Sequence, residues 1–280
     1  MYRYFFTQRI FPLCAAAIPI ASVVIAVTLT PTDTAARQGS RGETAAGPTQ
    51  VLALDKSSPS NPYQKYSTGV DVSYPQCKLG LPAQAGDFAI AIIGVNGGRA
   101  FTTNRCLNLE YAWAKQAQVP ISFYLNLNFP SGQTADRGLT GPKGECPSTN
   151  LTRQAYNYGW NAAADAKSYT DTLWTFSKVW WIDIETYNTW EFDGTLNSQV
   201  IQGAIDFLRK ANLAPGIYTA PRMWAAITDG NYDPQVPIWI AGAQDINEAK
   251  NYCGINIGSG PTWLSQFGDS GPYDHNLVCP

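Results

Sequence analysis

Two carboxylates follow an apolar, tryptophan-rich run in the middle of the chain. Asp183 and Glu185 occur in the sequence Trp-Trp-Ile-Asp-Ile-Glu, whose apolar residues predict a buried strand. Side chains at positions i and i+2 of a strand point the same way, with Cα atoms about 6.5–7 Å apart. Desolvation beside indole rings and mutual repulsion should raise the pKa of one of the two acids. The pair could supply the proton donor and the second carboxylate that cleavage of a glycosidic bond requires, or it could be a surface pair with Asp183 capping a turn.

Two further acids lie within apolar segments at opposite ends of the predicted fold. Asp71 occurs in Gly-Val-Asp-Val-Ser, and Asp274 occurs in Tyr-Asp-His-Asn beside another predicted strand. An acid inside an apolar strand needs partners or a function, because burying it unpaired is costly. If the sheet closes into a barrel, its first and last strands are neighbours, and these two acids converge on Asp183 and Glu185.

The composition excludes several other chemistries. The chain has one histidine, His275, so zinc sites that need two or three imidazoles are excluded. The sequence contains neither a Gly-x-Ser-x-Gly elbow nor a Walker loop, and we expect no metal and no cofactor. With a formal net charge of −2, the chain lacks the positive charge that nucleic-acid binding requires.

The order of predicted elements indicates an α/β fold. Apolar strand-like runs alternate with amphipathic helices, which is typical of a parallel sheet with right-handed crossovers. The clearest helical pattern follows Asn197, which we predict as its N-cap. Two helices are missing near the C-terminus. We therefore predict a single domain over residues 68–280, an irregular β/α (TIM-like) barrel whose strand C-termini form the site.

The N-terminal region has the composition of an export segment. Arg3 and Arg9 precede an uncharged apolar run over residues 10–30, and small residues follow at 34–36. Residues 1–36 are therefore predicted to be a signal peptide or an N-terminal membrane anchor, since the run is long enough to span a bilayer. Residues 37–67 have the composition of a disordered linker. Either reading places the rest of the chain outside the cytoplasm.

Five cysteines lie beyond that segment, at positions 77, 106, 146, 253 and 279. No two form a Cys-x-x-Cys pair, so zinc ribbons and thioredoxin-like redox sites are not supported. In an oxidising compartment we expect two disulfides and one spare thiol, and a bond between Cys253 and Cys279 would tie down the C-terminus.

The chain as a whole is rich in aromatic residues and poor in charged ones. The chain has nine tryptophans and only 14% charged residues, a balance that suits a concave, sugar-binding surface as well as a large core. Trp181 shares a direction with Asp183, whereas Trp180 points toward the helices. Trp181 and Tyr187 are therefore candidate sugar-stacking residues, and Asn126 could bond to sugar hydroxyls or serve ordinary loop packing.

Several short motifs occur in an order that resembles the family 25 glycoside hydrolases, the lysozyme-type muramidases, over about residues 68–279. They are Gly69-Val-Asp-Val-Ser, the Asp183-x-Glu185 strand end, Pro215-Gly-Ile-Tyr-Thr, Ile238-Trp-Ile-Ala, and Gln266-Phe followed by Asp274-x-Asn. The resemblance implies an irregular β/α barrel that hydrolyses the β-1,4 bond after N-acetylmuramic acid in peptidoglycan.

The resemblance also implies roles for individual residues. Glu185 matches the acid/base, and Asp183 matches the acid that steadies the substrate's acetamido group or the developing positive ring. Asp71 and Asp274 match two flanking carboxylates, and Tyr124 falls at an aromatic position lining the sugar site. This chain departs from the family at Tyr74-Pro75, Val95-Asn-Gly-Gly98, Leu125-Asn126 and Ser265. All of these departures are expected near the sugar groove.

Three hypotheses remain open at this point. The first is a secreted or membrane-anchored glycosidase, expected as a monomer, whose polysaccharide partner is peptidoglycan or a related N-acetylhexosamine polymer of the cell wall. The second is a catalytically inactive wall-binding protein on the same barrel, since fold does not fix function. The third is a hydrolase of a different exported polysaccharide.

Overall fold

The computed structural model describes residues 60–82, 88–145, 150–268 and 273–280. The predicted signal peptide or anchor, the linker up to residue 59 and Cys146 lie outside the described residues.

Eight strands form a closed barrel in chain order. The first seven strands run parallel to one another, and the eighth runs antiparallel to both the seventh and the first. The predicted irregular β/α barrel is thus confirmed. The strands are β1 (Thr68–Val72), β2 (Ile90–Gly94), β3 (Ile121–Asn126), β4 (Val179–Asp183), β5 (Ala214–Thr219), β6 (Ile238–Ala243), β7 (Thr262–Phe267) and β8 (Asp274–Val278).

The reversal of β8 follows from the length of its connection. Only residues 268–273 separate β7 from β8. A parallel return needs a crossover of a dozen or more residues, so a connection this short leaves only the antiparallel arrangement. The prediction that two helices are missing near the C-terminus was wrong for the connection between β6 and β7, which contains a helix at Ile246–Tyr252. The irregularity of the barrel is the reversed closing strand.

Helices cover the outside of the barrel, and the described part contains no helix that is both long and apolar enough to cross a bilayer. Two of them, α3 and α4, make the most extensive helix–helix contact, through Gly159 and Gly203. A Cβ at either glycine would lie within about 2 Å of a backbone oxygen of the other helix. The helices are α1 (Gln76–Leu79), α2 (Leu107–Ala117), α3 (Leu151–Thr172), α4 (Gly194–Lys210), α5 (Pro221–Thr228) and α6 (Ile246–Tyr252), with a 3-10 helix at Gly132–Gly138.

Helix α4 begins one turn before the predicted cap. Its N-cap is Asp193, whose side chain accepts hydrogen bonds from the backbone N–H groups of Thr195 and Leu196. Asn197 is buried inside the first turn, where its amide donates to the carbonyls of Glu191 and Ile227. The prediction of Asn197 as the cap was therefore wrong, because its polar side chain joins α4 to the neighbouring loops instead.

Alternation along the strands divides the core into an inner and an outer layer. Trp180 faces outward and packs edge-on against Phe123, under the helices. Trp181 faces inward, with its ring 5.8 Å from that of Trp239 and 6.3 Å from that of Trp263. A Cβ on Gly216 would lie 2.4 Å from the Trp181 ring, so only glycine leaves room for this indole inside the barrel.

The segment before β1 closes the lower end of the barrel. Tyr63 is buried, and its hydroxyl donates to Ser122 inside the barrel at 3.0 Å. Asn61 donates to the carbonyl of Trp263. The predicted disorder over residues 37–67 is therefore wrong for residues 60–67. The prediction was based on the low hydrophobicity of the whole segment, and it therefore missed Tyr63, a single tyrosine that fills the end of the barrel.

Two disulfides lie within the described residues. Cys253 is bonded to Cys279, as predicted, and joins the end of α6 to the residue after β8. Cys77 is bonded to Cys106, which joins α1 to the start of α2. Each bond restrains the unfolded chain and so favours the folded state.

Candidate active site

Four acids from three strands line one cavity at the C-terminal end of the parallel strands. Asp71 lies on β1, Asp183 ends β4, Glu185 follows it, and Asp274 begins β8. Asp71 and Asp274 are paired in register across β1 and β8, so closure of the barrel brings the first and last strands of the fold together. The cavity has a volume of about 370 Å³. The structure thus places the four acids together, and their chemical roles stay predictions.

Asp183 is the most deeply placed of the four acids. It is 3% exposed, and its Oδ2 accepts a hydrogen bond from Nδ2 of Asn126, its register partner on β3. Its Oδ1 is buried without a partner in the structure. Burial raises the pKa of Asp183 well above its ordinary value, and the charges of Glu185 and Asp71 raise it further. One oxygen of this carboxyl therefore has no hydrogen-bond partner among the described residues.

Glu185 lies half-buried just beyond the end of β4. Burial, followed by the nearby charge of Asp274, raises the pKa of its carboxyl. The turn that carries it is fixed at its backbone carbonyl, which accepts from the indole N–H of Trp190 at 2.8 Å and from the backbone N–H of Asn188 at 3.2 Å. A carboxyl with a raised pKa on a fixed turn is suited to proton transfer.

Asp71 is held by a chain of oriented amides. Its Oδ2 accepts from Nε2 of Gln266 at 3.0 Å and from Nδ2 of Asn276 at 2.8 Å. The hydroxyl of Tyr218 donates to Oε1 of Gln266 at 2.7 Å, which fixes the amide so that its nitrogen faces Asp71. Burial and the charges of Asp274 and Glu185 raise the pKa of Asp71 to about 7. The hydrogen bonds from the Gln266 and Asn276 side chains act in the opposite direction and lower it.

Asp274 completes the acid cluster at its rim. Partial burial raises the pKa of its carboxyl, while the adjacent His275 lowers it. Asp274 contributes to the raised pKa of both Asp71 and Glu185, so it acts on two of the other three acids from the outer edge of the cluster.

Aromatic rings form the walls of the cavity. Tyr124, predicted at the site, lies across from Trp239 with ring centroids 6.2 Å apart. Gly94 leaves space for its hydroxyl, since a Cβ there would lie 2.9 Å from that oxygen. Tyr218 and Trp239, which the sequence did not single out, pack with centroids 4.4 Å apart.

The register of the strands explains why Tyr218 and Trp239 belong to the site. Asp183 is the register partner of Tyr218, and Tyr218 is the register partner of Trp239, so the three side chains lie at one level of the barrel. Inward alternation within the Pro215–Thr219 and Ile238–Ala241 motifs could have identified both residues.

The residues predicted to contact sugar lie in different places relative to the cavity. Tyr187 is 87% exposed at the mouth of the cavity, and Asn126 lines the cavity while donating to Asp183. Trp181 has no exposed surface and lies beneath the cavity. Trp181 is therefore wrong as a sugar-stacking residue, because it faces inward but belongs to a deeper layer of the barrel.

Some of the positions at which this chain differs from the family 25 motifs do not line the cavity. Val95, Leu125 and Ser265 are fully buried and do not line the cavity. The expectation that all of the altered positions lie near the sugar groove was therefore wrong for these three. Tyr74, Pro75, Gly98 and Asn126 do line the cavity.

No group of three or more His, Cys, Asp or Glu side chains within the described ranges is arranged to hold a metal ion. The chemistry available to the cavity is that of its carboxyl, amide and hydroxyl groups.

Comparison with known proteins supports a lysozyme-type domain. A family model described as lysozyme-like protein 1 matches residues 154–252, which run from α3 to the end of α6 and include Asp183 and Glu185. None of the curated proteins compared with this chain is significantly similar to it in sequence.

Solved structures with the same fold include a muramidase from Acremonium alcalophilum, at 16% sequence identity and a TM-score of 0.52. The match covers 76% of this chain and 94% of that one. A glycosyl hydrolase 25 of Streptococcus pneumoniae, the virulence factor GHIP, matches at 13% identity and a TM-score of 0.51, over 76% of this chain and 87% of that one.

The barrel is the fold of the family 25 glycosyl hydrolases. The resemblance inferred from the motifs is thereby confirmed at the level of the fold, and the lysozyme-like family model agrees with the predicted glycosidase. The CTP1L endolysin is a more distant match, with a TM-score of 0.47 at 11% identity, and the match covers 76% of this chain and 66% of that one. Of the four acids, Asp183 and Glu185 fall inside the segment that the lysozyme-like family model matches, whereas Asp71 and Asp274 fall outside it.

Proposed function

We propose that the protein is an exported glycoside hydrolase that cleaves β-1,4 bonds of peptidoglycan or a related N-acetylhexosamine glycan. The observation that carries the proposal is the convergence of four acids in one aromatic-walled cavity on a family 25 barrel. The match to a lysozyme-like family model across the segment with Asp183 and Glu185 supports the same conclusion.

Glu185 is the proposed proton donor to the leaving sugar oxygen. It is half-buried and faces the cavity, and its pKa is raised by burial and by the charge of Asp274. Glycosidic cleavage through an oxocarbenium-like transition state needs one such protonated carboxyl near neutral pH. Asp71 and Asp274 line the same cavity, and the negative charge of Asp274 disfavours the ionisation of Glu185.

Asp183 is proposed to stabilise the substrate at the reacting sugar. Asn126 occupies one of its oxygens, and the other is buried without a partner. Because Asp183 lines the cavity, its carboxyl is proposed to act on either a substrate acetamido group or the developing positive charge of the sugar ring. The ring of Tyr124 offers an apolar face against which the C–H face of a sugar can lie, and the buried rings of Tyr218 and Trp239 support the cavity wall behind it.

Export of the protein is part of the proposal. The Arg-flanked apolar run over residues 10–30 indicates a signal peptide or membrane anchor. The two disulfides support it as well, because such bonds persist mainly in oxidising compartments outside the cytoplasm.

A wall-binding protein without catalysis is the second candidate. It is favoured by Tyr74 and Pro75, which line the cavity at positions where relatives carry other residues. The fully buried positions of Val95, Leu125 and Ser265 weaken it, since those changes do not alter the cavity surface.

Digestion of purified peptidoglycan and of chitin-type oligomers by the wild-type protein separates the candidates. We expect release of new reducing ends from peptidoglycan, which borohydride reduction followed by acid hydrolysis identifies as muramitol. Glu185→Gln should lower the rate about 10²–10⁴-fold, because it removes the transferable proton. Glu191→Gln, an exposed acid on the same loop, is the matched control and should leave the rate unchanged. Binding without turnover in wild-type and mutant alike would establish the wall-binding candidate.

A further inference from the structure

A second cavity, of about 340 Å³, adjoins the acid-lined cavity at the same end of the barrel. Arg99, which lines it, directly follows Gly98 of the catalytic cavity, and Asn128 follows Asn126 by two residues. Because consecutive Cα atoms are about 3.8 Å apart, the two cavities lie next to each other along these two segments. The second cavity is lined by Arg99, Phe101, Asn128, Ser131 and Gln133, among others.

The floor of this second cavity is fixed by Asn128. This residue is 4% exposed, and its Oδ1 accepts from the backbone N–H of Ala100 at 3.0 Å. Its Nδ2 donates to the hydroxyl of Tyr158 at 2.9 Å and to the carbonyl of Phe129 at 2.8 Å. Since both ends of the amide are engaged, the floor keeps its shape in the absence of ligand.

One wall is fixed by Phe101. Its ring meets Tyr158 edge-on at 5.1 Å, and the guanidinium of Arg137 lies 5.0 Å from its centroid. Phe101 has a φ of 58°, a conformation that a non-glycine residue adopts at a cost, so these contacts hold it in place. The loops after β2 and β3 and helix α3 are thereby joined around Tyr158 into one preformed pocket.

The charge of the second cavity is opposite to that of the first. Arg99 is exposed and forms no ion pair with any carboxylate that the structure describes. Arg137 lies close by, and no acidic side chain is among the lining residues. A guanidinium flanked by hydroxyl and amide donors is a recognition site for a carboxylate.

We propose that this second cavity binds a carboxylate of the acidic peptide that a peptidoglycan strand carries, with Arg99 as its counterion. The inference rests on the proposed function, because chitin-type glycans carry no such peptide. A sugar held at Glu185 for cleavage would present its peptide substituent beside the catalytic cavity. A preformed pocket adjoins the sugar site at that place, and its Arg99 forms no ion pair within the described part of the chain.

Kinetics on two preparations of the same glycan test the proposal. Soluble peptidoglycan strands are compared before and after an amidase removes their peptides. We expect Arg99→Gln to lower kcat/KM on the peptide-bearing strands about three- to tenfold, mainly through KM, with little change on the stripped strands. Arg99→Lys should recover part of the loss. Arg105→Gln, an exposed arginine on the same loop outside the cavity, should change neither rate. An equal loss on both preparations, or no loss on either, would overturn the proposal.

A binding measurement separates this inference from the hydrolase assignment. Glu185→Gln protein, with and without Arg99→Gln, is titrated with both strand preparations. Tighter binding of the peptide-bearing strands that disappears with Arg99→Gln supports the second site, even if the wild-type protein releases no reducing ends. If the two preparations bind equally tightly to the Glu185→Gln variant, the inference is wrong, whether or not the wild-type protein hydrolyses peptidoglycan.

Discussion

The acids of the cavity act on one another's ionisation. Asp183 and Glu185 both have raised pKa values, caused first by burial and then by neighbouring carboxylates. Two such groups in one cavity favour a state in which one holds a proton while the other is charged. Asp274, at the rim, is the neighbouring acid that raises the pKa of Glu185, so its removal should be visible in the pH dependence of turnover.

Asp274→Asn should move the alkaline limb of the activity profile to lower pH. The negative charge of Asp274 makes ionisation of Glu185 harder, so without it Glu185 loses its proton at a lower pH and the donor is lost earlier. The profile of kcat/KM against pH measures this shift, with Glu191→Gln as the unshifted control. A limb that stays in place or moves to higher pH would contradict the proposed role of Asp274.

For single residues, the sequence predicted whether a side chain faces into the barrel better than it predicted how deep in the barrel that side chain lies. The four acids were predicted because acids within apolar strands need partners, and their convergence needed only barrel closure. Trp181 was misassigned because alternation shows that a side chain faces inward but not which layer of the barrel it occupies. That depth depends on the stagger between strands, which also places Tyr218 and Trp239 level with Asp183.

At the scale of elements, the cavity depends on the layer beneath it. The Trp181 ring packs against Trp239 and lies against Gly216 of β5. Trp239 in turn forms a wall of the cavity with Tyr218. A displacement of the Trp181 indole would therefore move Trp239, and with it the wall of the cavity, through the contact between the two indole rings.

Gly216→Ala should both destabilise the protein and reduce its activity. The new Cβ would lie 2.4 Å from the Trp181 ring and 3.1 Å from the carbonyl of Pro237, so the ring must shift. Overpacking of this kind costs about 1–3 kcal/mol. Thermal unfolding and kcat/KM are measured beside Gly254→Ala, where the nearest atom would be 3.4 Å away. Equal behaviour of the two variants would mean that the inner layer adapts without cost.

Element boundaries were predicted less well than element types. Helix α6 was not predicted, because its seven residues carry too few apolar positions to define a helical period. The cap of α4 was misplaced because Asp193 and Asn197 are both good capping residues, and only the tertiary partners of Asn197 decide between them. The alternation of strands and helices was enough to predict the barrel itself.

At the scale of the whole molecule, buried acids link stability to pH. The pKa of Asp71 is raised to about 7, and so is that of Glu110, a fully buried acid on α2 that accepts a hydrogen bond from Asn104. Both titrate near pH 4 in an unfolded chain. Because the folded protein binds these protons more tightly, the stabilisation is complete below about pH 4 and is lost as the pH rises through about 7.

The melting temperature should therefore fall between about pH 5 and about pH 8. Asp71→Asn and Glu110→Gln should each flatten this dependence, since each removes one acid with a raised pKa. Only Asp71→Asn should also reduce turnover, because Glu110 lies outside the cavity. Thermal unfolding at several pH values measures the effect. A dependence as steep in both variants as in the wild type would show that other groups control it.

The pairing of Asp71 with Asp274 has a consequence for biosynthesis. One acid lies on the first strand to leave the ribosome and the other on the eighth, so every other part of the barrel is made before they can meet. Until β8 has been made, the nascent chain therefore cannot assemble the four-acid cluster. A producing cell that exports the chain unfolded would be shielded from it until the eighth strand docks beyond the membrane.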